Sequence, residues 1–214
     1  MYKKKPFFIV FEGVEGCGKS FQSKKLFSKL KKSNIDAILT REPGGTKSSE
    51  LIRNLILKDY FTKNKIEKFD KYTDTLLYLA SRNEHVKNKI RPALLNNEVV
   101  ICDRFTDSTL AYQVHGKKVD VNFINNIHKK ILSGIKPNLV FILKVSETMA
   151  KKRLKKRRTK NRYDNFAQSF YTKAQRSFIK LAKNKKNYFI LNSSSNDSIL
   201  EKKIFNIVNK YLDI

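Results

Sequence analysis

Acidic residues, cysteine and histidine are scarce in this chain, and long apolar runs are absent. Of 214 residues only 19 are Asp or Glu, against 46 Lys or Arg. Two cysteines, Cys17 and Cys102, stand far apart with no close pair. That excludes a disulfide scaffold and fits a reducing cytoplasm. His85, His115 and His128 are scattered, without metal-ligand spacing, and read as ordinary surface or core residues. No apolar stretch approaches the ~20 residues that cross a bilayer, so no membrane partner is expected. Met1 to Lys5 is basic, but the apolar run behind it stops at Glu12, which reads as a strand rather than a signal peptide. Repeats and long linkers are missing too, so residues 1–214 are expected to form one α/β domain.

The net charge of +27 has two readings. One is nucleic-acid binding. The other is plain composition: 36 of the 46 basic residues are Lys. They run the length of the chain instead of forming one stripe with interleaved aromatics, which favours composition. A small polyanionic substrate would gain from the same field.

What is present begins with Gly13-Val14-Glu15-Gly16-Cys17-Gly18-Lys19-Ser20. The apolar run Phe7–Phe11 precedes it, and a helix-like segment from Phe21 to Leu30 follows. Strand, glycine loop and helix together make the context of a P-loop. Glycines allow a turn tight enough for backbone N–H groups to surround a phosphate. The helix N-terminus adds its positive dipole end. Lys19 can reach β- and γ-phosphates, and the Ser20 hydroxyl can hold Mg²⁺.

Further strands are expected at Ile35–Thr40, Val99–Cys102, Leu139–Val145 and Tyr188–Leu191. Helical patterns lie between them: Ser48–Leu57, Thr73–Asn96 with Pro92 marking a kink or boundary, Asp107–Gln113, Val121–Ser133, Phe166–Lys183 and Ile199–Leu212. Thr62 to Asp70 reads as a polar connector, and Ser193–Asn196 as a turn. Alternating strands and helices imply a five-stranded parallel sheet covered on both faces. Pro43-Gly44-Gly45 forces a loop at the carboxyl end of the second strand, where ligands bind in such sheets. Asp103, at the tip of the third, stands where a P-loop protein places its second magnesium-organising group.

These marks together resemble the bacterial thymidylate kinases, from end to end of the chain. The matching features are the P-loop with Glu15 inside it, the loop Arg41-Glu42-Pro43-Gly44-Gly45-Thr46, and the helix carrying Arg82. The run Asp103-Arg104-Phe105 with Ser108, Ala111, Tyr112 and Gln113, and an arginine-rich lid, complete the set. The resemblance implies a P-loop NTPase fold with a lid at about 150–164. It implies transfer of phosphate from ATP to dTMP with Mg²⁺, in dTTP biosynthesis, by a homodimer.

Carried over residue by residue, Gly13 to Ser20 hold the ATP phosphates, and Ser20 with Asp103 the metal. Glu15 accepts a hydrogen bond from the sugar 3′-hydroxyl. Arg53 and Arg104 bind the acceptor phosphate, as a planar fork of donors suits. Tyr78 stacks on thymine, and Pro43 is among the substrate-binding residues. Arg82 reaches base or phosphate, Thr109 and Gln113 face the base or the phosphate, Ser108 is also substrate-binding, and Tyr112 lies where a 2′-hydroxyl would project. Lys19, Arg104 and Glu15 are the catalytic set outside the lid. The P-loop itself holds no arginine, so the lid must supply one. Arg157, Arg158 and Arg162 are the choices, and Arg153 lies earlier on the entering helix. Three departures stand out: Asn161 before Arg162, Asp164 for a usual Glu, and Phe105 where Tyr is frequent. Cys17 reads as a small filler. Two other readings stay open, a kinase for a different deoxynucleotide and a nucleic-acid-binding P-loop ATPase.

Overall fold

A computed structural model describes residues 5–57, 69–156, 168–194 and 197–212. Five strands form one parallel sheet in the order β2-β3-β1-β4-β5. They are β1 Phe7–Glu12, β2 Ala37–Arg41, β3 Val99–Asp103, β4 Leu139–Lys144 and β5 Tyr188–Asn192. The central strand β1 is buried at every position, as a strand covered on both faces must be. From β1 the chain moves one way for β2 and β3, then the other way for β4 and β5. The crevice beyond β1 and β3 is therefore the topological switch point.

Register decides which loops meet. Phe11 of β1 pairs with Asp103 of β3, and Arg41 of β2 pairs with the same residue. Three strands thus end at one level, and the segments that follow them emerge side by side.

The helices are α1 Lys19–Lys32, α2 Lys47–Leu57, α3 Lys71–His85, α4 Arg91–Leu95, α5 Thr106–Thr109, α6 Val121–Leu132, α7 Glu147–Lys155, α8 Gln168–Ala182 and α9 Asp197–Leu212. All five expected strands are present, with shifted ends. β2 starts two residues later than its apolar run, because Ile35 N–H still bonds the α1 carbonyl of Leu30 at 3.0 Å. α1 starts two residues early, its first turn built on Lys19 and Ser20. The expected helix 73–96 is helical throughout but changes pitch: a π-helical turn, Val86–Ile90, joins α3 to α4. Pro92 explains the join. It donates no N–H, its ring crowds the preceding turn of an α-helix, and a wider turn before it relieves both. The segment after α5, Leu110–Gly116, is also π-helical, which nothing in the sequence marks. Most of the polar connector 62–70, and the turn at 195–196, lie outside the described residues. Asp70, at the connector's end, caps α3 through Tyr72 N–H at 2.7 Å.

Candidate active site

The loop after β1 turns tightly on glycine. A β-carbon on Gly13, at φ +139°, would stand 2.6 Å from the Leu143 carbonyl oxygen. One on Gly16, at φ +75°, would stand 2.7 Å from that of Ala150 in α7. Both positions therefore demand glycine. Lys19 is buried in the loop's centre, donating to the carbonyls of Gly13 at 3.0 Å and Val14 at 2.9 Å. α1 begins on Gly18 with no side-chain cap and no acid in its first turn. Its positive end suits an anion. The Ser20 hydroxyl donates to the Asp103 carboxylate, across the β1–β3 register. Those hard oxygens are the donor type that Mg²⁺ takes, with phosphates and waters completing its shell.

Arg104, next after β3, adopts φ +75°. Its guanidinium donates to the Gly13 carbonyl at 2.8 Å, the Ser108 hydroxyl at 3.0 Å and Glu15 at 2.7 Å. The other Glu15 oxygen accepts from the Tyr112 hydroxyl at 2.7 Å. Burial works to raise the Glu15 pKa, but Arg104, Lys19 and the Tyr112 bond outweigh it and hold the group ionised, below its ordinary value. A carboxylate in a phosphate loop is thus neutralised by an arginine from the neighbouring strand.

Behind this lies a second buried ion cluster. Arg82 on α3 bonds Glu42 through Nε at 2.7 Å and pairs with it through Nη2 at 2.6 Å. It also donates to Thr109 at 2.7 Å and to the Phe105 carbonyl at 2.9 Å, and meets His128 at 2.7 Å. Glu42 takes its other contact from His85 at 3.1 Å. Burial opposes ionisation of Glu42, and Arg82 and His85 overcome it, leaving its pKa lowered. The peptide from Glu42 to Pro43 is cis.

A cavity of about 560 Å³ opens over these groups. Its lining includes Glu15, Gly16, Gly18, Lys19, Ser20, Pro43, Arg53, Tyr78, Arg82, Asp103, Arg104, Ser108, Thr109, Tyr112 and Gln113. Fifteen sites chosen from sequence are thereby brought to one space. Gly13, Val14 and Cys17 lie in the loop beneath it, Cys17 and Val14 in the core. Arg157, Arg158 and Arg162 lie outside the described residues. Arg53 donates to the Pro43 carbonyl at 2.5 Å and faces Glu50 at 3.9 Å. Burial and the nearby Arg41 lower its pKa, which Glu50 partly offsets. Gln113 is 2% exposed, and its amide nitrogen has no hydrogen-bond partner. A buried amide without a partner in a cavity wall is a place for a ligand's polar edge.

Sequence reasoning ranked Arg153 below Arg157, Arg158 and Arg162, yet α7 brings it to the loop: its guanidinium donates to the Gly16 carbonyl at 3.4 Å and lines the cavity. Its place early on the entering helix, ahead of the other lid arginines, hid that. Arg41 and Phe21 also line the cavity. His85 and His128 are core residues, as read, but they buttress Arg82 and Glu42.

One cavity that joins a phosphate loop to arginines and an unpartnered amide suits anionic ligands with a polar edge. The comparisons agree. The sequence profile described as thymidylate kinase matches residues 11–204. A thymidylate kinase of Pelotomaculum thermopropionicum is 34% identical over 208 residues, 96% of this chain and 94% of that one. One from the Aster yellows witches'-broom phytoplasma is 39% identical over 209 residues, 96% of each chain. The crystal structure of thymidylate kinase from Ehrlichia chaffeensis superposes with a TM-score of 0.75 at 28% identity, covering 95% of this chain and 99% of that one. The P-loop NTPase fold is thereby accounted for: the chain belongs to the thymidylate kinase family.

Proposed function

We propose that the chain transfers the γ-phosphoryl group of ATP to the phosphate of dTMP, giving ADP and dTDP. The observation that carries this reading is the cavity itself, where Lys19 of the phosphate loop shares one space with Arg53, Arg104 and Gln113. Phosphoryl transfer needs position and charge neutralisation more than covalent chemistry. The loop amides and Lys19 hold the donor phosphates. Arg53 and Arg104 hold the acceptor phosphate, whose ionised oxygen attacks without a general base. Ser20 and Asp103 would hold Mg²⁺, which when bound neutralises charge on the donor phosphates. Tyr78 stacks on the base, Thr109 and Gln113 read its edge, and Glu15 accepts from the 3′-hydroxyl. Tyr112, fixed by Glu15, fills the place of a 2′-hydroxyl. Arg82, its donors engaged by Glu42, Thr109, His128 and Phe105, shapes that wall.

Arg153 joins Arg157, Arg158 and Arg162 as a source of positive charge over the donor. The chain works as one domain, 1–214, with a lid at about 150–164. We place it in the cytoplasm, where its buried, unpaired Cys17 and Cys102 stay reduced. It works as a homodimer through α2 and α3. Leu51, Leu55 and Leu76 are exposed there, an apolar face that a second copy would cover.

The test is a transfer assay with ATP and Mg²⁺ across dTMP, dUMP, dCMP and dGMP. The expected outcome is highest kcat/KM on dTMP. Better turnover of dCMP or dGMP would replace this reading with a kinase for another deoxynucleotide. In the same assay Arg153→Ala raises the KM for ATP about tenfold, the loss of one charge-assisted hydrogen bond, and leaves the KM for dTMP alone. An unchanged ATP dependence removes Arg153 from the donor site.

A further inference from the structure

Glu12 ends β1 with no exposed surface, and the mechanism above does not use it. Its carboxylate receives three hydrogen bonds from one short stretch. Oε1 accepts the N–H groups of Phe105 at 2.8 Å and Ser108 at 3.1 Å. Oε2 accepts the Ser108 hydroxyl at 2.6 Å. α5 has no side-chain cap of its own, since Phe105 occupies the cap position. Glu12 supplies that cap from a different element, satisfying donors that would otherwise be orphaned.

The Ser108 contact sets a direction. A hydroxyl has one proton and two lone pairs. With the proton given to Glu12, a lone pair is free to accept Arg104 Nη1, at 3.0 Å. Arg104 is also the residue at φ +75°, a backbone conformation that its neighbours must impose. One of them is Phe11, whose carbonyl accepts Arg104 N–H at 2.9 Å, and the next residue along is Glu12. Burial, then the nearby Asp107, push the Glu12 pKa up, while Arg104 and the Ser108 and Phe105 bonds pull it down, and the three donors aimed at its oxygens call for the ionised carboxylate. An apolar residue would avoid that penalty, but it would strand two N–H groups and a hydroxyl.

We propose that Glu12 is the positioning residue that aims Arg104 at the acceptor phosphate, through the Ser108 hydroxyl and the start of α5. The proposal rests on Arg104 gripping that phosphate, as in the proposed function. Glu12→Gln tests it. The amide oxygen can still take both N–H groups, but its NH₂ now donates to Ser108 and competes with Arg104 for the same lone pairs. Ser108→Ala breaks the relay from the other side.

The measurements are calorimetric titrations of dTMP and of a non-hydrolysable ATP analogue into wild type, each single variant and the double variant, with melting temperatures alongside. The expected result is dTMP affinity down about tenfold to hundredfold in each single variant, the range for a hydrogen bond to a charged group. The ATP analogue binds as before, and the double variant is no worse than the worse single. A purely structural role would lower the melting temperature and leave both affinities intact in the folded fraction. That result, or losses that multiply in the double variant, overturns the proposal. Should Glu12→Gln not fold, Ser108→Ala decides: unchanged dTMP affinity overturns it. Wild type that binds ATP but not dTMP sinks the functional reading instead.

Discussion

Single side chains carry the site's charge balance, and His128 shows how. Burial first, and the neighbouring Arg82 second, drive its pKa from an ordinary 6.5 down to about 3, with Glu42 opposing. The imidazole is therefore neutral, and its Nε2 accepts from Arg82. Below pH 6.5 the unfolded chain takes a proton that the folded chain refuses. The stability tied to His128 is complete above that pH and falls as pH drops, by about 1.4 kcal/mol per pH unit. Burial and the nearby Asp107 shift Glu12 the other way, raising its pKa, so its contribution to the pH dependence has the opposite sign. Below pH 6.5 the two contributions therefore offset in part. His128→Gln keeps an acceptor for Arg82 and removes the titration. Urea unfolding at pH 7, 6 and 5 should find the variant gaining on wild type by about one proton's worth, ~1.4 kcal/mol per unit. Parallel curves would mean that His128 is charged in the folded protein. At this scale the sequence was half legible. Lys19, Ser20, Asp103 and Arg104 were marked by motif. Glu12 was not, because an acid after five apolar residues reads as a solvated strand end. His85 and His128 were not, because their partners lie 43 and 46 residues away.

Elements do the positioning. β1, β2 and β3 end in register, so three loops with no sequence proximity form one wall. Periodicity and apolar runs located every described strand, most clearly β1, β3 and β4, whose burial on both faces leaves a continuous apolar signature. They missed both π-helical turns, which keep the helical spacing of apolar residues while changing the hydrogen-bond step. They also missed α7 delivering Arg153 to Gly16, a contact across 137 residues. The α2 and α3 face is where an element-scale prediction belongs. Leu51 on α2 is 73% exposed and Leu76 on α3 is 48% exposed. A helix whose outward face is apolar pays for that exposure unless a second surface covers it. Sedimentation equilibrium of wild type should give twice the chain mass, and Leu51→Lys with Leu76→Lys should give the chain mass with the fold retained. A wild type that stays monomeric at micromolar concentration would contradict the proposed assembly.

As a whole the molecule is a basic protein whose basic side chains divide into two kinds. Most are dispersed lysines on exposed positions, which fits a composition spread along the chain. A few, Lys19, Arg53, Arg82, Arg104 and Arg153, converge on one cavity and are held there by named partners. In the proposed function the second group does the binding, and the first contributes a field that favours polyanions. Substrate choice was legible only through the family resemblance, since stacking and arginine alone name a nucleotide but not a base. The most direct measurement is a crystal structure with dTMP and an ATP analogue bound together. The account predicts the dTMP phosphate on Arg53 and Arg104, thymine over Tyr78 with its edge on Gln113, and the analogue's phosphates in the Gly13–Ser20 loop. A dTMP found away from Arg53, Tyr78 and Arg104 would contradict it.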